Sequence, residues 1–164
     1  MSIDYVFQEK FQDNFRLVDT SCTSTNALGY ADLNCNILQQ FIDLDDISNL
    51  NQLNHQLNVD IKYATLILQK PGSVNASHYD KFWPLNDIPT NKIKVRINVF
   101  LSKWYFGQLV ECSNKTISRW SIGEATCWDS TIEHFAINFS KYDKLTLQLS
   151  GLYNDSLGSH FWFT

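Results

Sequence analysis

The chain has no pair of cysteines at C-x-x-C spacing, no cluster of basic residues, no apolar run of about 18 residues and only three prolines. Each absence removes a class of protein. Cys22, Cys35, Cys112 and Cys127 are widely spaced, which argues against a zinc ribbon and fits reduced thiols packed as small apolar side chains. Thirteen Lys and Arg against 17 Asp and Glu leave a net charge of −4, with the positive charges scattered. No electrostatic footprint for nucleic acid or for an anionic membrane surface is present. The missing apolar run excludes an ordinary transmembrane helix. The opening segment "MSIDYVFQEKFQDNF" has no signal-peptide core, so a cytoplasmic location is expected and sequons such as "NAS" carry no weight. Pro71, Pro84 and Pro89 share one short stretch, which marks the main loop region.

What is present is a chain of 164 residues, 44% of them hydrophobic. That is enough for a single domain over residues 1–164 that buries roughly 70% of its unfolded surface. Residues 26–58 carry Leu28, Leu33, Ile37, Leu38, Phe41 and Ile42 at mixed helical spacing. "DDISNLNQLNHQLN" follows, with Asp45 or Asp46 as N-cap and Ile47, Leu50, Leu53 and Leu57 three to four apart. Two helices are expected, making residues 1–60 mainly helical support. From residue 61 the period changes to two. "IKYATLILQ", "KIKVRINVFL", "TISRWSI", "EATCWD", "HFAINFS" and "KLTLQLSG" all read as strands. Helices followed by closely spaced strands point to an α+β architecture, a sandwich or barrel with helices on one sheet.

Two strands say more than their period. In "KIKVRINVFL" Ile93, Val95, Ile97 and Val99 face one way and Lys94, Arg96, Asn98 and Phe100 the other. In "KLTLQLSG" Leu145, Leu147 and Leu149 alternate with Lys144, Thr146 and Gln148. Such strands either turn their polar face to water, or line a barrel whose apolar exterior is covered by helices and whose polar lumen holds a charged ligand.

The candidate chemistry starts at His78 and Asp80 in "ASHYDKFW". Two ligands one residue apart on extended backbone point to the same side. His134, at the start of a strand, supplies a second imidazole, and two histidines with one carboxylate match a facial triad that binds Fe(II) and leaves open positions. Lys144 and Thr146 follow on the polar face of the last long strand. A lysine turned into a barrel needs an anionic partner, and a dicarboxylate would satisfy both the ammonium and the hydroxyl.

With these stretches in order, residues 61–151 resemble the Fe(II)/2-oxoglutarate-dependent oxygenases of the double-stranded β-helix (jelly-roll, cupin-like) fold, in particular small aspartyl/asparaginyl β-hydroxylase-like domains. "LILQKPGSVNASHYD" resembles the family's strand, Pro-Gly turn and proximal ligands; "KVRINVFL" is similar to a strand bearing an Arg-x-His pair. "GEATCWDSTIEHF" resembles the segment with the distal histidine, and "YDKLTLQLSG" the strand with the basic residue for 2-oxoglutarate. The resemblance implies that His78, Asp80 and His134 bind iron and form the catalytic centre. It also implies that Lys144 and Thr146 hold the distal carboxylate of 2-oxoglutarate, with Arg96 beside cofactor or substrate. The implied reaction uses O2, releases succinate and hydroxylates a small molecule or an amino-acid or peptidyl side chain.

Three positions bear on that pattern. Lys144 stands where most members carry Arg, replacing a planar fork by a point charge. Asn98 replaces the imidazole of the Arg-x-His pair. Asp80 is present where halogenases have a small residue, which favours hydroxylation. Two alternatives keep a similar fold: a non-catalytic cupin-like β-sandwich that binds a ligand or a protein, and a cupin dioxygenase that needs no 2-oxoglutarate. Trp83, Trp104 and Trp128 are candidates for pocket or core. His55 and His160 carry no expected metal role.

Overall fold

The computed structural model describes residues 16–17, 37–80, 85 and 91–153. Among these, the strands are β1 (Arg16–Leu17), β2 (Ile37–Ile42), β3 (Val59–Gln69), β4 (Ser73–His78), β5 (Ile93–Phe100) and β6 (Gln108–Cys112), then β7 (Lys115–Ile117), β8 (Ala125–Asp129), β9 (His134–Asn138) and β10 (Lys144–Tyr153). They form a six-stranded sheet in the order β1-β2-β3-β10-β5-β8 and a four-stranded sheet in the order β4-β9-β6-β7. Neighbours in both sheets are antiparallel. Side chains from both sheets line one cavity. This is a double-stranded β-helix of the jelly-roll, cupin-like type.

The alternation in β5 and β10 sorts their side chains between two environments. Val95, Ile97, Val99, Leu147 and Leu149 join Ile61, Ala64 and Leu66 of β3 in an apolar cluster on the outside of the larger sheet. A short α-helix, α1 (Leu50–Leu57), follows a 3-10 turn at Leu44–Asp46. Leu50, Leu53 and Leu57 of α1, with Leu44 and Ile47, pack onto that cluster, so the exterior is apolar because a helix covers it. Each fully buried Leu or Ile there contributes about 1.5–3 kcal/mol. Arg96, Asn98, Lys144, Thr146 and Gln148 point the other way and line the cavity.

Three expectations need correction. Of the region expected to form two helices, Ile37–Ile42 is a strand that extends the sheet beyond β3. Its apolar residues mimic helical spacing because both of its faces are used. Ile37 and Phe41 line the cavity, and Ile42 joins the outer cluster. Residues 26–36 lie outside the described residues. Neither Asp45 nor Asp46 caps α1: Asp43 caps the 3-10 turn through the Asp45 amide, and Asn49, in the left-handed region at φ 62°, precedes the helix. In "TISRWSI" the strand ends at Ile117 because Arg119 takes φ 60°, and Trp120 turns inward. Strands β4 and β6 lie outside the segments whose alternation reads as strand.

Two glycines serve close geometry. Gly72, at φ +80°, completes the Lys70-Pro71-Gly72-Ser73 turn closed by the Ser73 amide on the Lys70 carbonyl at 3.1 Å, a position that favours glycine. Gly151 sits where the β10·β3 register shifts, and a Cβ there would lie 2.6 Å from Val59 Cγ1 and 2.7 Å from the Asp60 carbonyl.

Candidate metal and anion site

A bulge aims the first ligand. Strands β4 and β9 pair Asn75 with Ala136 and then His78 with His134, so three residues on β4 match two on β9. The extra residue reverses parity. His78 therefore turns into the cavity opposite His134, while Ser77 points outward to Glu133 at 2.9 Å. The two imidazoles lie with ring centroids 4.3 Å apart. One ligand atom from each of His78, Asp80 and His134 falls within 4.8 Å of the others.

The three side chains are held by groups around them. His78 Nδ1 lies 2.7 Å from the Ala76 carbonyl and His134 Nδ1 lies 3.1 Å from the Ile132 carbonyl. Donation from each Nδ1–H leaves Nε2 as the ligand atom. Asp80 Oδ2 accepts from Trp128 Nε1 at 2.8 Å and lies 3.4 Å from Arg96 Nε and 3.6 Å from His134 Nε2. Arg96 also donates to Ser150 Oγ. Burial pushes the His134 pKa below its ordinary 6.5, against the opposing pull of the Asp80 carboxylate, which favours the neutral imidazole a metal requires. Two imidazoles and a carboxylate that converge in this way form a donor set that could hold a metal ion.

The cavity holds about 220 Å³. Register sorts the inward-facing positions of the larger sheet into rows: Arg96, Ser150 and Trp128 adjoin the triad; Thr65, Gln148, Asn98 and Thr126 come next; then Ile67, Thr146 and Phe100; and finally Gln69 and Lys144. Lys144 is only 1% exposed. Its ammonium lies 5.4 Å from the centroid of Trp120, which stacks on Phe100 at 4.1 Å. No carboxylate pairs with it among the described residues. Burial pulls its pKa from 10.5 down to about 7, only partly countered by the Cys112 thiol. An anion entering the cavity would supply the missing countercharge.

All six residues singled out from sequence, His78, Asp80, His134, Arg96, Lys144 and Thr146, line this one cavity. Arg96 lies against Asp80, on the metal side. Trp128 lines the wall and orients Asp80, whereas Trp104 packs below and donates to the Gln108 carbonyl at 2.8 Å. Trp83, His160, Cys22 and Cys35 lie outside the described residues. Burial pushes the free thiols of Cys112 and Cys127 up to about 12, unsuited to nucleophilic work. Sequence reasoning missed the indole of Trp128 as a partner for Asp80; inward parity on β8 was the signal that pointed to it. Among the described residues, no helix is long and apolar enough to cross a membrane.

No family model matches the chain, and no curated protein matches it in sequence. Among solved structures, a Pseudomonas putida prolyl-4-hydroxylase is similar over 80% of this chain and 82% of its own, with a TM-score of 0.52 and 14% identity. KdgF from Halomonas sp. is similar over 73% and 81%, with a TM-score of 0.45 and 15% identity. The Schizosaccharomyces pombe Cnp3 cupin domain is similar over 76% and 71%, with a TM-score of 0.47 and 9% identity. At 14% identity the likeness to the prolyl-4-hydroxylase is one of fold alone.

Proposed function

We propose that the protein is an Fe(II)- and 2-oxoglutarate-dependent oxygenase that hydroxylates an amino-acid or peptidyl side chain. One observation carries this reading: a His-Asp-His cluster and a buried lysine with no carboxylate partner among the described residues line the same cavity. A metal site alone would fit many cupin-like proteins, and the lysine adds a demand for a second, anionic ligand reaching deep into the lumen.

In this reading His78, Asp80 and His134 hold the metal from one side. Trp128 and Arg96 fix the Asp80 carboxylate, so that it ligates without rotating. Lys144 pairs with the distal carboxylate of 2-oxoglutarate, and the Thr146 hydroxyl donates to the same group. The chemistry that iron and 2-oxoglutarate supply together is the activation of O2, with release of succinate and CO2 and hydroxylation of a substrate C–H bond. The chain contributes orientation of the two ligands and exclusion of water from the lumen. Phe41, which lines the cavity yet is 74% exposed, is placed to meet a substrate at its mouth.

Thermal unfolding with Mn(II), 2-oxoglutarate and both together tests the reading. Ligand at 100 times its Kd stabilises by about 2.7 kcal/mol, so the pair should raise the melting temperature more than either alone. His78→Ala should abolish the joint shift. Succinate release with Fe(II) then separates this activity from a cupin dioxygenase that uses no 2-oxoglutarate. Absence of any shift with either ligand overturns the proposal.

A further inference from the structure

Gln69 ends β3 directly opposite Lys144 in the β3·β10 register. It lines the same cavity, is 4% exposed, and its Nε2 has no hydrogen-bond partner among the described residues. A buried amide donor left unmatched costs free energy, and here it stands beside a buried ammonium. Two neighbouring donors, neither with an acceptor among the described residues, make a site for a group with two acceptor oxygens.

The backbone that carries Gln69 is pinned. Its carbonyl accepts from Asn138 Nδ2 at 2.8 Å, and Asn138 Nδ2 also donates to the Tyr142 carbonyl at 2.8 Å. Gln108 Nε2 reaches Asn138 Oδ1 at 3.3 Å and Ser140 Oγ at 3.0 Å. Asn138, Gln108 and Ser140 are all buried. This network ties the end of β3 to the 138–142 turn that leads into Lys144. The two donors are thus set relative to each other before any ligand arrives.

We propose that Gln69 is a further binding residue, whose Nε2–H donates to the same carboxylate that Lys144 neutralises. The inference rests on the proposed function. It explains how a lysine serves where a guanidinium would offer two donors in one plane: the ammonium gives the charge, and the glutamine amide gives a second directed hydrogen bond. The pair then selects a carboxylate over a neutral or methyl-terminated chain end.

The test is calorimetric titration of the Mn(II)-loaded full chain with 2-oxoglutarate and with 2-oxopentanoate, which keeps the 2-oxo acid but ends in a methyl group. Wild type should prefer 2-oxoglutarate strongly. Gln69→Met should cut that preference tenfold to a hundredfold, the range for a hydrogen bond to a charged group, while 2-oxopentanoate and Mn(II) bind as before. Full preference in Gln69→Met, or equal weakening of both acids, overturns the role of Gln69. No preference in the wild type instead overturns the oxygenase reading. Gln69→Glu gives the second arm: its carboxylate pairs with Lys144, so the protein should melt higher while losing 2-oxoglutarate. Lower melting with unchanged preference would also overturn the role of Gln69.

Discussion

The two ends of the lumen are built to opposite rules. At the triad, Asp80 Oδ2 takes the Trp128 indole and the Arg96 guanidinium, and both histidines are anchored through Nδ1. At the far end Lys144 is just as buried as Trp128, yet its ammonium faces the Trp120 ring with no carboxylate partner among the described residues, and the Gln69 amide beside it has a donor unmatched among them. A metal ligand must be oriented before the ion arrives, so its supporting bonds are internal. An anion site must leave its donors unsatisfied until the anion comes, so stability is given up there for binding.

Substitutions should therefore act with opposite sign at the two ends. Asp80→Ala leaves the Trp128 indole without its acceptor and should cost roughly 1–3 kcal/mol in chemical denaturation, the range for a buried donor left unmatched. It should also eliminate the Mn(II)-dependent stabilisation. Lys144→Met should do the reverse to the ligand-free protein, raising its stability by roughly 1–4 kcal/mol. The same change should remove about 2–5 kcal/mol of 2-oxoglutarate binding and spare Mn(II). Equal loss of both ligands would show that the two ends are not separable.

A pH profile sharpens the contrast. Lys144 titrates at about 7 in the folded protein against 10.5 unfolded, so between these values the unfolded chain binds more protons. Stability of the ligand-free protein should rise as pH climbs from about 7 towards 10.5, and fall as pH drops back through that window. The difference between wild type and Lys144→Met, measured by denaturant unfolding across the window, should shrink as pH rises. The smallest effect is expected at Trp128→Phe, which keeps the ring and removes one hydrogen bond to Asp80. Mn(II) affinity should fall about 10- to 100-fold, with little change in the selectivity for 2-oxoglutarate over 2-oxopentanoate.

The polar and apolar faces of β5 and β10 were legible because strict alternation survives over eight and ten residues. Other elements hid their identity for local reasons. Ile37–Ile42 has apolar residues on both faces, which reads as a helix. In β6, Gln108 is a buried polar residue where a core position would normally be apolar. Strand β4 is short, follows a turn, and contains the bulge that defeats parity.

The order of residue types along the chain was enough to single out His78, Asp80, His134 and Lys144, because ligand chemistry and the cost of an inward charge are properties of side chains and strand parity. Their meeting in one cavity was decided by pairing. The β4·β9 bulge rotates His78 to face His134, and the β3·β10 register sets Gln69 beside Lys144. Trp128 reaches Asp80 across 48 positions of sequence. Those contacts depend on which backbone hydrogen bonds form between distant strands, and a shift of one residue in either register would turn the same side chains away from the lumen.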